Sequence, residues 1–290
     1  MTTSTGMRLG YGTNSIGDVD PLAAVPLLAE LGYGSLAITL DHHTIDPSAA
    51  DLAERIARWR DALAAAGMRC VVETGARHLL DPRVKHEPTF VSPDRAGRDR
   101  RCDFTRRALD VAVALGADCV STWSGIVHDA AEEEAAWDRL CSALAPVLEQ
   151  AAAAGVPLGF EPEPGMFVDS VARCAALRDR MAGHPALALT LDTGHTECMG
   201  ERPAADVLRG WPGRLVNVHV DDMLACRHEH LPLGTGDVDF AGLFAAFSRA
   251  GYSGGLHVEL PRQSHCWLDT ARRSAAFLQC LLRSTPWPEA

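Results

Sequence analysis

The sequence predicts an α/β fold: a single (β/α)8 TIM-barrel domain spanning residues 1–290. Three observations carry that prediction. Short β-rich runs alternate with longer Ala/Leu/Arg-rich stretches at helical spacing, and eight such pairs can be counted. Gly32, Gly67, Gly116, Gly155 and Gly251 follow five of the helical stretches, where a left-handed glycine commonly ends a helix. Polar residues end most of the strand candidates and GxGxxG does not follow the first one, which disfavours a doubly wound open sheet.

The strand candidates are Arg8–Gly12, Ser35–Leu40, Arg69–Glu73, Cys119–Trp123, Pro157–Glu161, Leu187–Asp192, Leu215–Asp221 and Gly255–Leu260. The helix candidates are Pro21–Leu31, Ala49–Ala66, Arg98–Leu115, Ala130–Ala154, Ser170–Ala182, Pro203–Arg209, Phe240–Ala250 and Trp267–Arg283. Gly75 to Gly97 is too long for an ordinary connection and is expected to lie over the active-site face. The tail 284–290, with two prolines, reads as a frayed end.

Composition narrows the function. Hydrophobic residues at 47% and charged residues at 22% suit a globular core. The apolar runs all fall short of a membrane span, and MTTSTGMRLGYG lacks the layout of a signal peptide, so a cytoplasmic protein is expected. The net charge of -11, from 38 acidic and 27 basic residues, argues against nucleic acid as a partner. Nine cysteines without a CxxC pair fit buried free thiols better than disulfides or a zinc-thiolate site. Lys85, the only lysine, falls in a loop-like stretch, which disfavours Schiff-base chemistry.

In a barrel the chemistry collects where strands end. Those positions hold Asp41-His42-His43, Glu73, Trp123, Glu161 with Glu163, Asp192 with His195, His219 with Asp221 and Asp222, and His257 with Glu259. Glu161, Asp192, His219 and Glu259 end four consecutive strands, and carboxylates crowded there repel unless a cation compensates them. Three carboxylates and one imidazole suit one divalent metal ion: Mn²⁺, Co²⁺, Mg²⁺ or Zn²⁺. His257, two residues before Glu259, is expected one layer deeper as a hydrogen-bonded interior residue. Glu163 points toward the same mouth, and Trp123 offers either a platform for a sugar face or packing under the long loop. Asp221 and Asp222 read equally well as loop caps.

The segments GFEPEPG, LTLDTGH, VNVHVDD, HLPLGTGDVDF and LHVEL resemble the xylose-isomerase-like TIM-barrel superfamily of sugar isomerases and epimerases, which also holds the endonuclease IV enzymes. The resemblance is at motif level from strand 5 to strand 8 and weaker before it. It implies that Glu161, Asp192, His219 and Glu259 are metal ligands and that His195 contacts substrate. It also places Arg227 near a substrate-binding arginine, while Glu73 and His230 complete the candidate substrate set. A sugar, sugar phosphate or cyclitol is the expected substrate, isomerised or epimerised through a metal-stabilised enediolate with Glu161 and Glu259 as the proton-transfer pair. A hydrolase of the endonuclease IV type is the alternative, as is a dehydratase on a cyclitol ketone. Glu73 and Trp123 stand where a trinuclear zinc site needs histidines, although the His228-Glu229-His230 run could keep one zinc half-site. Arg77, His78, Arg83, Lys85 and His86 concentrate positive or titratable charge in the long loop, as a lid for an anionic group or as ordinary surface charge. Relatives are often dimers or tetramers, so a homo-oligomer stays open.

Overall fold

The computed structural model describes residues 6–285, so most of the expected frayed tail, residues 286–290, lies outside the described residues. Eight parallel strands close into a barrel: β1 (Arg8–Gly12), β2 (Ser35–Thr39), β3 (Arg69–Glu73), β4 (Val120–Thr122), β5 (Leu158–Phe160), β6 (Leu187–Asp192), β7 (Leu215–Val220) and, as the last, β10 (Gly255–Val258). Each strand pairs with the next in the chain, and β10 returns to β1 with Leu9 beside Leu256 and Tyr11 beside Val258. Helices α1 (Pro21–Glu30), α2 (Leu52–Ala66), α3 (Arg95–Leu115), α4 (Glu133–Ala154), α5 (Val171–Arg180), α7 (Ala204–Gly210), α8 (Phe240–Arg249) and α9 (Trp267–Ser284) surround the sheet.

Local chemistry sets the helix ends. Carboxylates of Asp20, Asp94 and Asp239 accept from backbone N–H groups in the first turns of α1, α3 and α8, which satisfies donors a helix start leaves open. The Asp94 cap also explains why α3 begins three residues before the apolar pattern does. The five glycines singled out in the sequence all have positive φ, between 63° and 89°. Among the described residues, every helix falls short of the length and apolarity needed to cross a membrane.

Two pieces are absent from the sequence reading. A short helix α6 (Thr193–Cys198) follows β6 directly, and β8 (Asp222–Leu224) with β9 (Arg227–Leu231) forms an antiparallel hairpin after β7. The hairpin escapes a pattern search because RHEHL has no alternation of apolar and polar residues.

The main apolar core lies between strands and helices, with Tyr11, Leu36, Ile38 and Phe160 fully buried. Inside the barrel, Ala37, Val71 and Cys119 form a small apolar cluster. Around it the lumen is polar, with Ser121 bonded to Thr190 at 2.9 Å and His257 between Asn217 at 2.7 Å and Ser35 at 2.9 Å. His257 is therefore the hydrogen-bonded interior histidine that strand periodicity expects. It needs glycine on both neighbours: a Cβ on Gly10 or Gly255 would stand 2.2 Å from its ring.

The segment from Gly75 to Asp94 crosses the C-terminal end of the barrel. Arg77 Nη2 donates to the Asn14 carbonyl beyond β1 at 3.0 Å, and the His86 ring meets Trp123 beyond β4 edge-to-face at 5.4 Å. Arg101 of α3 ties the segment down by donating to three carbonyls: Pro88 at 2.7 Å, Thr74 at 3.0 Å and His86 at 2.5 Å.

Candidate metal centre and active site

Four strand ends bring their side chains to one point. The backbone ladder runs past the ends of β5 and β10, since Glu161 N–H donates to Thr122 O at 2.8 Å and Glu259 N–H to Val220 O at 3.1 Å. Both carboxylates thus stand on pinned backbone. Asp192 lies in register with His219 across the β6–β7 pair. Ligand atoms of Glu161, Asp192, His219 and Glu259 all lie within 4.8 Å of one another.

His219 is the hub. Its Nδ1 lies 2.9 Å from Glu161 Oε1 and 2.9 Å from Glu259 Oε2, while Nε2 faces Glu73 Oε1 at 2.6 Å. Glu73, a substrate candidate in the sequence, therefore stands behind the imidazole and not in the open mouth. Its second oxygen accepts from Thr39 Oγ1 at 3.0 Å. Oδ2 of Asp192 is buried without a hydrogen-bond partner, although Oδ1 caps α6 through the His195 N–H at 2.9 Å. Two buried carboxylates and a half-buried third against one imidazole leave an uncompensated negative charge, and an orphaned carboxylate oxygen among them is what a cation would satisfy. The residues fit a divalent ion.

The neighbouring groups sort themselves by geometry. His195 is buried, its Nδ1 is held by Pro162 O at 3.0 Å, and Nε2 is left without a partner, 3.8 Å from Glu163 Oε2. Glu163 keeps 21% of its side chain exposed and lies 3.5 Å from His228. His230 pairs with Asp221 at 2.6 Å, and its ring stands 5.7 Å from that of His195. Trp123 is 7% exposed and sandwiched under the loop, with the Arg101 guanidinium 4.8 Å above its ring. Arg227 does not enter the site: it is 65% exposed on the hairpin and pairs with Glu229 at 2.7 Å. The sequence placed it near the substrate because the hairpin that turns it outward is invisible there. Arg83 likewise faces solvent, whereas Arg77 reaches the mouth between Asn14 and Asp41.

A family model described as xylose isomerase-like TIM barrel matches residues 25–281. The chain belongs to that family. Among curated proteins, it is 24% identical over 254 residues to the putative L-ribulose-5-phosphate 3-epimerase SgbU of Escherichia coli K12, covering 81% of this chain and 88% of that one. It is 25% identical over 244 residues to the L-ribulose-5-phosphate 3-epimerase UlaE of Shigella flexneri, covering 83% of each. Among solved structures, a D-allulose 3-epimerase from Methylomonas sp. superposes with a TM-score of 0.76 at 21% identity, covering 95% of this chain and 98% of that one. The IOLI protein with a bound zinc atom superposes at 0.77 and 14% identity, covering 97% and 99%.

Within this member of the xylose isomerase-like family, burial and charge divide the titrating groups. Burial pushes Glu161 up to about 7, with His219 only partly offsetting it. Burial acts on Glu259 in the same direction, yet His219 and His230 outweigh it and hold that carboxyl below the usual range. Two chemically equal glutamates at one imidazole nitrogen therefore differ in basicity, a division that suits acid–base work. Burial opposes charge on His219, but Glu161, Glu259 and Glu73 together keep it well above its ordinary value.

The sequence missed one group. Asn14, in the turn after β1, donates from Nδ2 to Glu259 Oε1 at 2.6 Å. Its signal was the polar run Thr13-Asn14-Ser15, the one strand end left out of the count. Asp221 anchors α6 by accepting from Gly194 N–H at 3.0 Å as well as meeting His230. Asp222 does act as a loop cap: its carboxylate accepts from Gly234, Gly236 and Val238 N–H groups at 2.8 to 3.1 Å.

Proposed function

We propose that the protein is a divalent-metal-dependent epimerase or isomerase of a ketose or ketose phosphate. One observation carries the reading: Glu161 and Glu259 each lie 2.9 Å from the same nitrogen of His219, on pinned backbone. The epimerase names of the relatives at 24 and 25% identity support the substrate class.

Glu161, Asp192, His219 and Glu259 would hold the ion. When bound, it would draw negative charge toward adjacent carbonyl and hydroxyl oxygens and so acidify the C–H between them. Glu259, whose orientation Asn14 fixes, would accept that proton. Glu161, the other glutamate at the His219 nitrogen, would return a proton from the other side. Return to the opposite face inverts the carbon, and return to the adjacent carbon isomerises the sugar. His195 Nε2 and Glu163 supply polar contacts for the remaining hydroxyls. Arg77 reaches the mouth from the long loop, where its cation suits a phosphate on the substrate.

The hydrolytic reading has less support. His195, His228 and His230 can bring ligand atoms together, but Glu73 is committed to His219 and Trp123 is packed under the loop.

The test is exchange of solvent deuterium into allulose, tagatose, ribulose and their phosphates by the metal-loaded enzyme. We expect incorporation at one carbon, with loss of exchange in Glu161→Gln and Glu259→Gln. Metal uptake without exchange into any ketose overturns the reading.

A further inference from the structure

The far end of the barrel holds a cavity unlike the rest of the molecule. It is a half-open cleft of about 1100 Å³ at the N-terminal ends of the strands, lined by Arg8, Arg69, Arg209, Arg214 and Arg249 against a single carboxylate, Asp118. Five cations facing one anion stand out in a chain of net charge -11. Asp118 is used by Arg69, and Arg209 pairs with Asp206 on its own helix. Among the described residues, Arg8, Arg214 and Arg249 make no ion pair. Arg249 sits in the last turn of α8, where a cation suits the helix end, but that account does not reach Arg8 or Arg214.

Strand periodicity explains how Arg8 and Arg69 come to be there. Arg69, Val71 and Glu73 share one face of β3, with Val71 in the lumen cluster and Glu73 against His219. Arg69 is thus the floor of the series whose top is the candidate metal centre, and Arg8 holds the matching place on β1 below Gly10 and Gly12. Four residues at about 3.3 Å each separate floor from mouth by about 13 Å. A sugar phosphate held at Glu161 and Glu259 does not span that filled lumen.

The remaining walls are apolar, from Leu208, Leu215, Val216 and Ala246, with Trp211 at the edge. The volume lies just above the ~300–1,000 Å³ usual for small-molecule pockets. Unpaired guanidiniums grip phosphate oxygens two at a time, and an apolar wall takes an organic body. We propose that this cavity binds a small organic polyphosphate of the nucleoside diphosphate kind, at a site separate from the barrel mouth.

The test is calorimetric titration of the full chain with ADP at constant ionic strength, with Mg²⁺ in excess so that chelation does not strip the mouth. Thermal melting is followed in parallel. The expected result is saturable binding with a ligand-dependent rise in Tm. Arg214→Ala with Arg249→Ala, both exposed, should weaken binding at least tenfold without lowering the ligand-free Tm. Arg272→Ala with Arg273→Ala, on the outer face of α9, should leave it unchanged, as should Glu259→Gln. Absence of saturable binding, equal binding by the Arg214/Arg249 variant, or loss in Glu259→Gln overturns the proposal.

Discussion

Oε1 of Glu73 lies 2.6 Å from Nε2 of His219, on the side of the ring away from Glu161 and Glu259. That arrangement fixes which nitrogen of His219 is free to face a cation and raises its basicity toward one. Glu73→Gln should therefore lower affinity for Mn²⁺ or Co²⁺ by about 10–100-fold, the usual cost of removing such a partner. Metal titration followed by calorimetry reads this directly. Unchanged affinity in a folded variant would show that Glu73 does not set the ring.

Asn14 should act on rate more than on binding. Its amide holds one oxygen of Glu259 at 2.6 Å and leaves the other toward His219. Asn14→Ala should reduce kcat about tenfold, the value of one hydrogen bond to a charged group, with KM nearly constant. Asn14→Asp should be worse because it sets a like charge beside Glu259.

Arg101 is a stability prediction. The side chain is 1% exposed, and its guanidinium satisfies three carbonyls. Arg101→Met leaves those acceptors buried and unpaired, at a cost of about 1–3 kcal/mol for each that water cannot reach. Thermal melting should show a large drop, and limited proteolysis should cut first between residues 75 and 94. Arg101→Lys should not restore the wild-type Tm, since one ammonium cannot span three fixed carbonyls.

Arg77 separates two substrate classes. Its guanidinium meets the Asn14 carbonyl at 3.0 Å and stands 3.8 Å from Asp41. Arg77→Ala should raise KM for a ketose phosphate by about tenfold or more, as loss of a charge-assisted contact does. The free ketose should be affected far less. Equal effects on both would remove phosphate recognition from this residue.

Acid should weaken the loop through His86. Burial pushes its pKa down to about 4, against about 6.5 in an unfolded chain. Between those values the unfolded chain takes up a proton that the folded one refuses, so stability falls as pH drops from about 6.5 to about 4 and levels below that. His86→Phe keeps a ring against Trp123 and removes the proton. Its Tm should fall less than the wild type's between pH 7 and 5; parallel curves would exclude His86 as a source.

The barrel was legible in the sequence because its two periods, alternation in strands and helical spacing in helices, repeat eight times with glycine stops between. The convergent quartet was legible for a related reason: strand ends are countable, and Glu161, Asp192, His219 and Glu259 end consecutive barrel strands. Side-chain direction after a strand end was not. Glu73 and Trp123 sit at equivalent ends, yet one turns inward to His219 and the other outward under Arg101. That choice depends on tertiary partners from α3 and the long loop. Arg227 failed for the same cause: a two-strand hairpin of polar residues carries no periodic signal, and its turn decides which face Arg227 takes.

The carboxylate of Asp222, the first residue of β8, gathers the stretch that follows the hairpin back onto the hairpin's start. Gly236 is obliged by this closeness, since a Cβ there would stand 2.4 Å from Asp222 Oδ1. Residues 223 to 238 are consequently clipped at both ends by one side chain, with Asp192 and His219 outside the clip. Such a segment behaves as an exchangeable cassette. It can be lengthened, shortened or recharged between its clips without moving Asp192 or His219 beneath it.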